Sequence, residues 1–114
     1  MLGIMKQNIQ LNELQGAVEA SIYDWGDPIP RVKSGDTEGT QPDILLAADC
    51  VYFEASFPYL QKALQMLIGP KTVCYFCFKK RRDADMKFVR GLRRLFNVEE
   101  IEERGNYSDK GIYL

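Results

Sequence analysis

An aspartate and a tyrosine three residues apart follow the apolar run 44–48, in Ala47-Ala48-Asp49-Cys50-Val51-Tyr52-Phe53. Just beyond a strand, Asp49 and Tyr52 set a carboxylate beside a phenol in one crevice. Ala47 and Ala48 are small enough to let a ligand approach the strand end. Such a pair suits a cationic guest, since the carboxylate supplies charge and aromatic faces add cation–π attraction of about 0.5–2 kcal/mol. Asp49 is equally suited to capping the helix that starts a few residues on, and both readings stand. A second polar and aromatic group is Tyr23-Asp24-Trp25-Gly26. Trp25, the only tryptophan, either stacks its indole on a flat heterocycle or packs over the sheet edge.

Other chemistry is narrowed by what the 114 residues contain. With no histidine, a Ser-His-Asp triad, a Cys-His pair and a His-ligated metal are all excluded, and no metal site is expected. Cys74 and Cys77 form a C-x-x-C, but inside an apolar run that reads as a strand. Positions three apart on a strand face opposite sides, so these are expected to be packing cysteines. Three cysteines without a spaced framework argue against a secreted disulfide scaffold. The run Lys79-Lys80-Arg81-Arg82 is short, lacks interleaved stacking aromatics, and is offset by Glu99, Glu100, Glu102 and Glu103. It reads as a solvated loop or a contact for an acidic protein partner, not as a nucleic-acid groove. The nine glycines contain no G-x-G, so no phosphate loop is present.

The elements that must position these groups follow from periodicity. Leu2, Met5 and Ile9 have helical spacing, in a helix ending near Asn12. Val18, Ala20 and Ile22 alternate with Glu19, Ser21 and Tyr23, predicting a strand with one wet face. A long loop punctuated by Gly26, Pro28, Pro30, Gly35, Gly39 and Pro42 follows. Residues 44–48 are a continuous apolar run, the pattern of a strand covered on both faces. Phe57, Leu60, Leu64 and Leu67 predict a helix stopped by Gly69-Pro70, and residues 72–78 a second buried strand. A third helix carries Phe88, Val89, Leu92, Leu95 and Phe96 on one face and Arg90, Arg93 and Arg94 on the other. Weaker strands are predicted at 98–102 and from 111 onward. The order α-β-β-α-β-α-β-β predicts an α/β sheet with right-handed crossovers.

Net charge of −1, 46% hydrophobic and 27% charged residues describe one ordinary globular domain at most. No apolar run approaches the roughly 18 residues of a membrane span, and a cytoplasmic location is expected. Neither membrane nor nucleic acid is an expected partner. The first helix begins at Met1 without a cap, and the last strand stops at Ile112-Tyr113-Leu114. Residues 1–114 are therefore expected to be the C-terminal part of a single larger domain. The alternative is a small domain completed by dimerising.

These residues together resemble the seven-β-strand, S-adenosylmethionine-dependent protein-lysine methyltransferases of methyltransferase family 16. The likeness rests on Leu2 to Asn12, which resembles the helix after the second strand, and on Asp24-Trp25-Gly26, which resembles the acidic-Trp-Gly element ending the third. It rests also on Asp43 to Tyr52, similar to the fourth strand with its D-x-x-Y motif, and on Cys74 to Arg82, similar to the fifth strand and its loop. The resemblance implies a Rossmann-like sheet of order 3-2-1-4-5-7-6. It implies S-adenosyl-L-methionine as cofactor, and a protein substrate such as a translation elongation factor. Trp25 would pack against the adenine with Asp24 close by, Ala48 would line the cofactor and Phe53 would flank it. Asp49 and Tyr52 would hold the substrate lysine near the methyl group. In-line transfer then needs mainly alignment of a neutral amine with the methyl carbon.

The glycine-rich loop after the family's first strand and the acidic residue closing its second are not in these residues. The expectation is a sheet truncated by its first two strands, with little cofactor affinity and no transferase activity on its own; the complete enzyme would be a monomer. Two other functions fit the residues. One is a non-catalytic α/β module binding a protein through the basic loop and the Arg90/Arg93/Arg94 face. The other is a small-molecule methyltransferase of the same fold.

Overall fold

A computed structural model describes residues 1–29, 41–101 and 112–113. Within them, helix α1 (Leu2–Leu11) precedes strand β1 (Ile44–Ala48), helix α2 (Phe57–Leu67), strand β2 (Val73–Lys79), helix α3 (Asp83–Leu92) and a short strand β3 (Ile112–Tyr113). The sheet order is β1-β2-β3. β1 and β2 are parallel, in register from Ile44 opposite Val73 to Ala48 opposite Cys77. β3 runs antiparallel to β2, with Phe78 opposite Tyr113. Since β1 and β2 point the same way, the residues leaving them, Asp49 onward and Lys80 onward, emerge at one end of the sheet. That is where open α/β sheets collect ligands.

The core lies on one face. α2 buries Phe57, Leu60, Ala63 and Leu64, the recurring stripe of a 3.6-residue period, and α3 buries Phe88 and Leu92. They meet Phe78 and the fully buried Val51, with Leu45, Cys74 and Phe76 of the sheet packed alongside. The Phe57 and Phe88 rings are 4.8 Å apart and Phe76 lies 6.4 Å from Phe88, tilted as aromatic quadrupoles prefer. The turn between α2 and β2 is tied down by Thr72: its hydroxyl accepts the Gly69 N–H at 3.0 Å and donates to the Pro42 carbonyl at 2.7 Å. This anchors the start of β2 to the chain entering β1.

The sequence reading is corrected at three places. Strands 44–48 and 72–78 were expected to be covered on both faces, yet Leu46 is 75% and Ile44 61% exposed, with Val73 and Tyr75 half exposed beside them. Both packed helices lie on the face of Leu45, Cys74 and Phe76, and α1 buries none of its residues. Residues 18–23 alternate as a strand should but form none. A strand exists only in a ladder, and no described strand lies beside this segment or along the outer edge of β1. Residues 98–101 likewise have no regular structure, and Glu102 lies outside the described residues, as do 30–40 of the long loop. The first helix matches its expected span, with Asn12 closing it through a side-chain bond to the Asn8 carbonyl at 2.8 Å.

Candidate functional site

β1 ends in an unusual backbone turn. Asp49 has φ 51°, the left-handed region that non-glycine residues seldom adopt and that aspartate tolerates better than most. Its N–H still donates to the Cys77 carbonyl at 2.8 Å, so it is fixed at the last rung of the ladder. The turn buries Val51 completely and leaves Tyr52 and Phe53 largely exposed. Asp49 does not cap α2: the helix follows a 3₁₀ turn over Glu54–Ser56, with Ser56 as its N-cap.

The Asp49 carboxylate instead meets Arg81, 32 residues on in the chain, in a two-pronged pair. Nη1 lies 3.0 Å from Oδ1 and Nη2 3.2 Å from Oδ2, the fork geometry that guanidinium and carboxylate share. Nη1 also lies 3.4 Å from the carbonyls of Val51 and Lys79. The hydrogen bonds from Arg81 hold the Asp49 carboxyl below its usual range, and Asp49 raises Arg81 in return. Both side chains remain open to water, 63% and 40% exposed.

Arg82 holds the other end of the turn, donating from Nη2 to the Tyr52 carbonyl at 3.0 Å. Its guanidinium carbon sits 6.0 Å from the Phe57 ring centre. Both arginines are placed by Asp85, in the first turn of α3 and wholly buried. Asp85 Oδ2 accepts the backbone N–H groups of Arg81 at 2.9 Å and of the N-cap Arg82 at 3.0 Å, the second being the reach-back bond of a capping box. The basic run is thus not a free solvated loop: Arg81 and Arg82 clamp the segment 49–52. Sequence reading missed Arg81, Arg82 and Asp85 as site residues. An acidic residue three positions after Arg82, at the head of an apolar-periodic helix, was the available signal for Asp85.

Of the other expected residues, Ala48 ends β1 on the uncovered face and is exposed. Phe53 follows Tyr52 at the mouth of the same turn. Trp25 is half buried against the core cluster, so part of its indole is used in packing, while Asp24 is exposed. The turn they occupy is fixed by α2: Lys62 donates to the Gly26 carbonyl at 2.9 Å, and a Cβ on Gly26 (φ 96°) would lie 3.1 Å from Tyr59 Cδ1. Among the described residues no hydrogen bond or ion pair joins Asp24 or Trp25 to Asp49 or Tyr52. Ala48 and Phe53 each leave apolar surface exposed at the end of β1, a chemistry compatible with a flat, apolar-faced cofactor. All three cysteines are free, with Cys74 on the core face and Cys77 outside the core cluster, and burial pushes the Cys50 and Cys74 thiols up. No described helix is long and apolar enough to cross a membrane.

Comparison with known proteins decides the relationship. Residues 1–95 match the sequence model of a family described as lysine methyltransferase. The chain belongs to the lysine methyltransferase family. Within it, the chain is 38% identical over 109 residues to protein-lysine N-methyltransferase EFM6 of Saccharomyces cerevisiae, covering 90% of this chain and 44% of that protein. Against protein N-lysine methyltransferase METTL21A of Danio rerio it is 32% identical over 103 residues, 88% of this chain and 45% of the relative. A third relative, EEF1A lysine methyltransferase 3 of Xenopus tropicalis, is 31% identical over 72 residues, 62% of this chain and 32% of the relative. The chain therefore spans less than half the length of these curated relatives.

Proposed function

We propose that this chain carries the amine-binding side of an S-adenosylmethionine-dependent protein-lysine methyltransferase, with the D-x-x-Y residues Asp49 and Tyr52 receiving the substrate lysine. The observation that carries this reading is Asp49 itself. A non-glycine residue held at φ 51° at a strand's carboxyl end, its carboxylate open to water and an exposed tyrosine three residues on, is locally costly and chemically apt. The sheet order supports the reading: a parallel pair followed by an antiparallel neighbour fits the 4-5-7 stretch of the family's 3-2-1-4-5-7-6 order. The substrate named for the Xenopus relative favours a protein such as elongation factor 1-alpha as the acceptor.

The bound cofactor supplies an electrophilic methyl group on a sulfonium sulfur. Asp49 and Tyr52 would hold the lysine nitrogen towards that methyl group, and the surplus proton of the amine would pass to water. A free lysine has a pKa of about 10.4, so enclosure on substrate docking, which disfavours the ammonium, aids the reaction. Ala48, Phe53, Asp24 and the free part of Trp25 would form one side of the cofactor's surroundings. The glycine-rich loop and second-strand acid of the family are outside these 114 residues, so the chain alone is inactive on this reading.

The test joins this chain to the portion of the yeast relative outside the match and follows labelled methyl transfer to elongation factor 1-alpha. Asp49→Asn is expected to lower kcat/KM by about 100-fold or more, and Tyr52→Phe by less, with cofactor affinity unchanged in both. Full activity in Asp49→Asn overturns the reading.

A further inference from the structure

We infer that Arg81 is an internal stand-in for the substrate amine: its guanidinium occupies the Asp49 carboxylate until a lysine displaces it, and this exchange sets how readily the site admits a cation. The inference rests on Asp49 being the amine-binding group. Arg81 presents two N–H donors to the two carboxylate oxygens at 3.0 and 3.2 Å, so the resting carboxylate is already charge-compensated. An arriving ammonium therefore gains only what it offers beyond Arg81.

Three features suit Arg81 to exchange rather than to permanent pairing. Both partners are exposed, 63% and 40%, and exposed ion pairs are weakly held and screened by salt. The arginine also has somewhere to go, since Nη1 is already 3.4 Å from the Val51 and Lys79 carbonyls and can turn towards them. Its backbone, meanwhile, does not depend on Asp49, because the Arg81 N–H is held by buried Asp85 at 2.9 Å. The charged and titratable neighbours of the pair along the chain are Lys79, Lys80 and Arg82 beside Arg81 and Cys50 and Tyr52 beside Asp49, with Asp85 bonded to the Arg81 N–H. Arg82 is engaged with the Tyr52 carbonyl and Asp85, which leaves Arg81 as the described side-chain cation paired with the Asp49 carboxylate.

The consequence is selectivity. A free alkylamine brings one charge and little else, and competes poorly with a cation already in place. A lysine on a docked protein has the rest of its interface to favour displacement.

The experiment uses the 114-residue chain and n-butylammonium chloride as the probe, read by the carboxyl carbon resonance of Asp49. Arg81→Gln is expected to bind the probe more tightly than the unaltered chain, by roughly threefold, the scale on which exposed pairs are held. Arg81→Lys, which restores the competing charge, is expected to bind like the unaltered chain. A general structural role for Arg81 would not give tightening in one variant and its reversal in the other. Thermal melts confirm that each variant folds; if Arg81→Gln does not, Arg81→Met serves the same comparison. Equal or weaker binding with Arg81 removed overturns the inference while leaving the amine-binding role of Asp49 intact. Unchanged probe binding in Asp49→Asn, followed at Tyr52, overturns that underlying role instead.

Discussion

The carboxylate of Asp85 accepts the backbone N–H of Arg82 at 3.0 Å through Oδ2, while its Oδ1 lies 3.1 Å from the same residue's guanidinium. The second approach is an ion contact without the alignment of a hydrogen bond. One buried carboxylate therefore starts α3, orients the loop after β2 and, through Arg81 and Arg82, fixes the turn that carries Asp49 and Tyr52.

Removing that carboxylate leaves the Arg81 and Arg82 N–H donors without their acceptor and the Arg82 guanidinium without its ion contact. Asp85→Ala is expected to destabilise the chain by about 2–4 kcal/mol and to loosen the Asp49–Arg81 pair. Asp85→Asn keeps an acceptor for both N–H groups and is expected to cost less, about 1 kcal/mol. Urea unfolding of the two variants checks the order.

The left-handed backbone of Asp49 separates shape from charge. Asparagine tolerates that region and β-branched residues do not. Asp49→Asn is expected to melt close to the unaltered chain, whereas Asp49→Val is expected to lose about 1–3 kcal/mol. Equal melting temperatures for the two would show that the strand end relaxes freely.

Arg81 holds the Asp49 carboxyl below its ordinary value of 3.8. A carboxyl with a depressed folded value contributes stability that is present above the unfolded value and lost as pH falls through the folded one. The Asp49 carbon resonance is therefore expected to titrate below the ordinary carboxylate range, and to return to it in Arg81→Gln. An unchanged midpoint in that variant would contradict the pairing.

Gly26 is the hinge of the Trp25 turn. A side chain there meets Tyr59 at 3.1 Å and forces a residue at φ 96°. Gly26→Ala is expected to destabilise by about 1–2 kcal/mol and to shift the emission of Trp25, the only tryptophan, towards longer wavelength as its ring leaves the core.

Local periodicity made β1, α2 and most of α3 legible, because Ile44–Ala48 is apolar throughout and Phe57, Leu60 and Leu64 recur at helical spacing. D-x-x-Y was legible as a cluster because its members are neighbours in the chain. The strand expected at 18–23 was not decided locally: Val18, Ala20 and Ile22 carry the right alternation, but pairing requires strands from elsewhere. Nor was the meaning of Lys79-Lys80-Arg81-Arg82 local. As a run of charges it reads as a solvated loop, and only the parallel register of β1 and β2 brings Arg81 to Asp49 across 32 residues. Coverage of both sheet faces was inferred from apolar runs, which record what a strand can bury and not which layer covers it.

That the chain holds the amine side of a methyl-transfer site, with most of the cofactor side elsewhere, is tested most directly by calorimetric titration of S-adenosylmethionine. The titration is made into the purified 114-residue chain and into the same chain joined to the yeast relative's unmatched portion, with circular dichroism confirming that both are folded. No detectable binding to the chain alone is expected, with clear binding to the joined protein that Asp49→Asn leaves unchanged. Micromolar or tighter binding by the chain alone would contradict it.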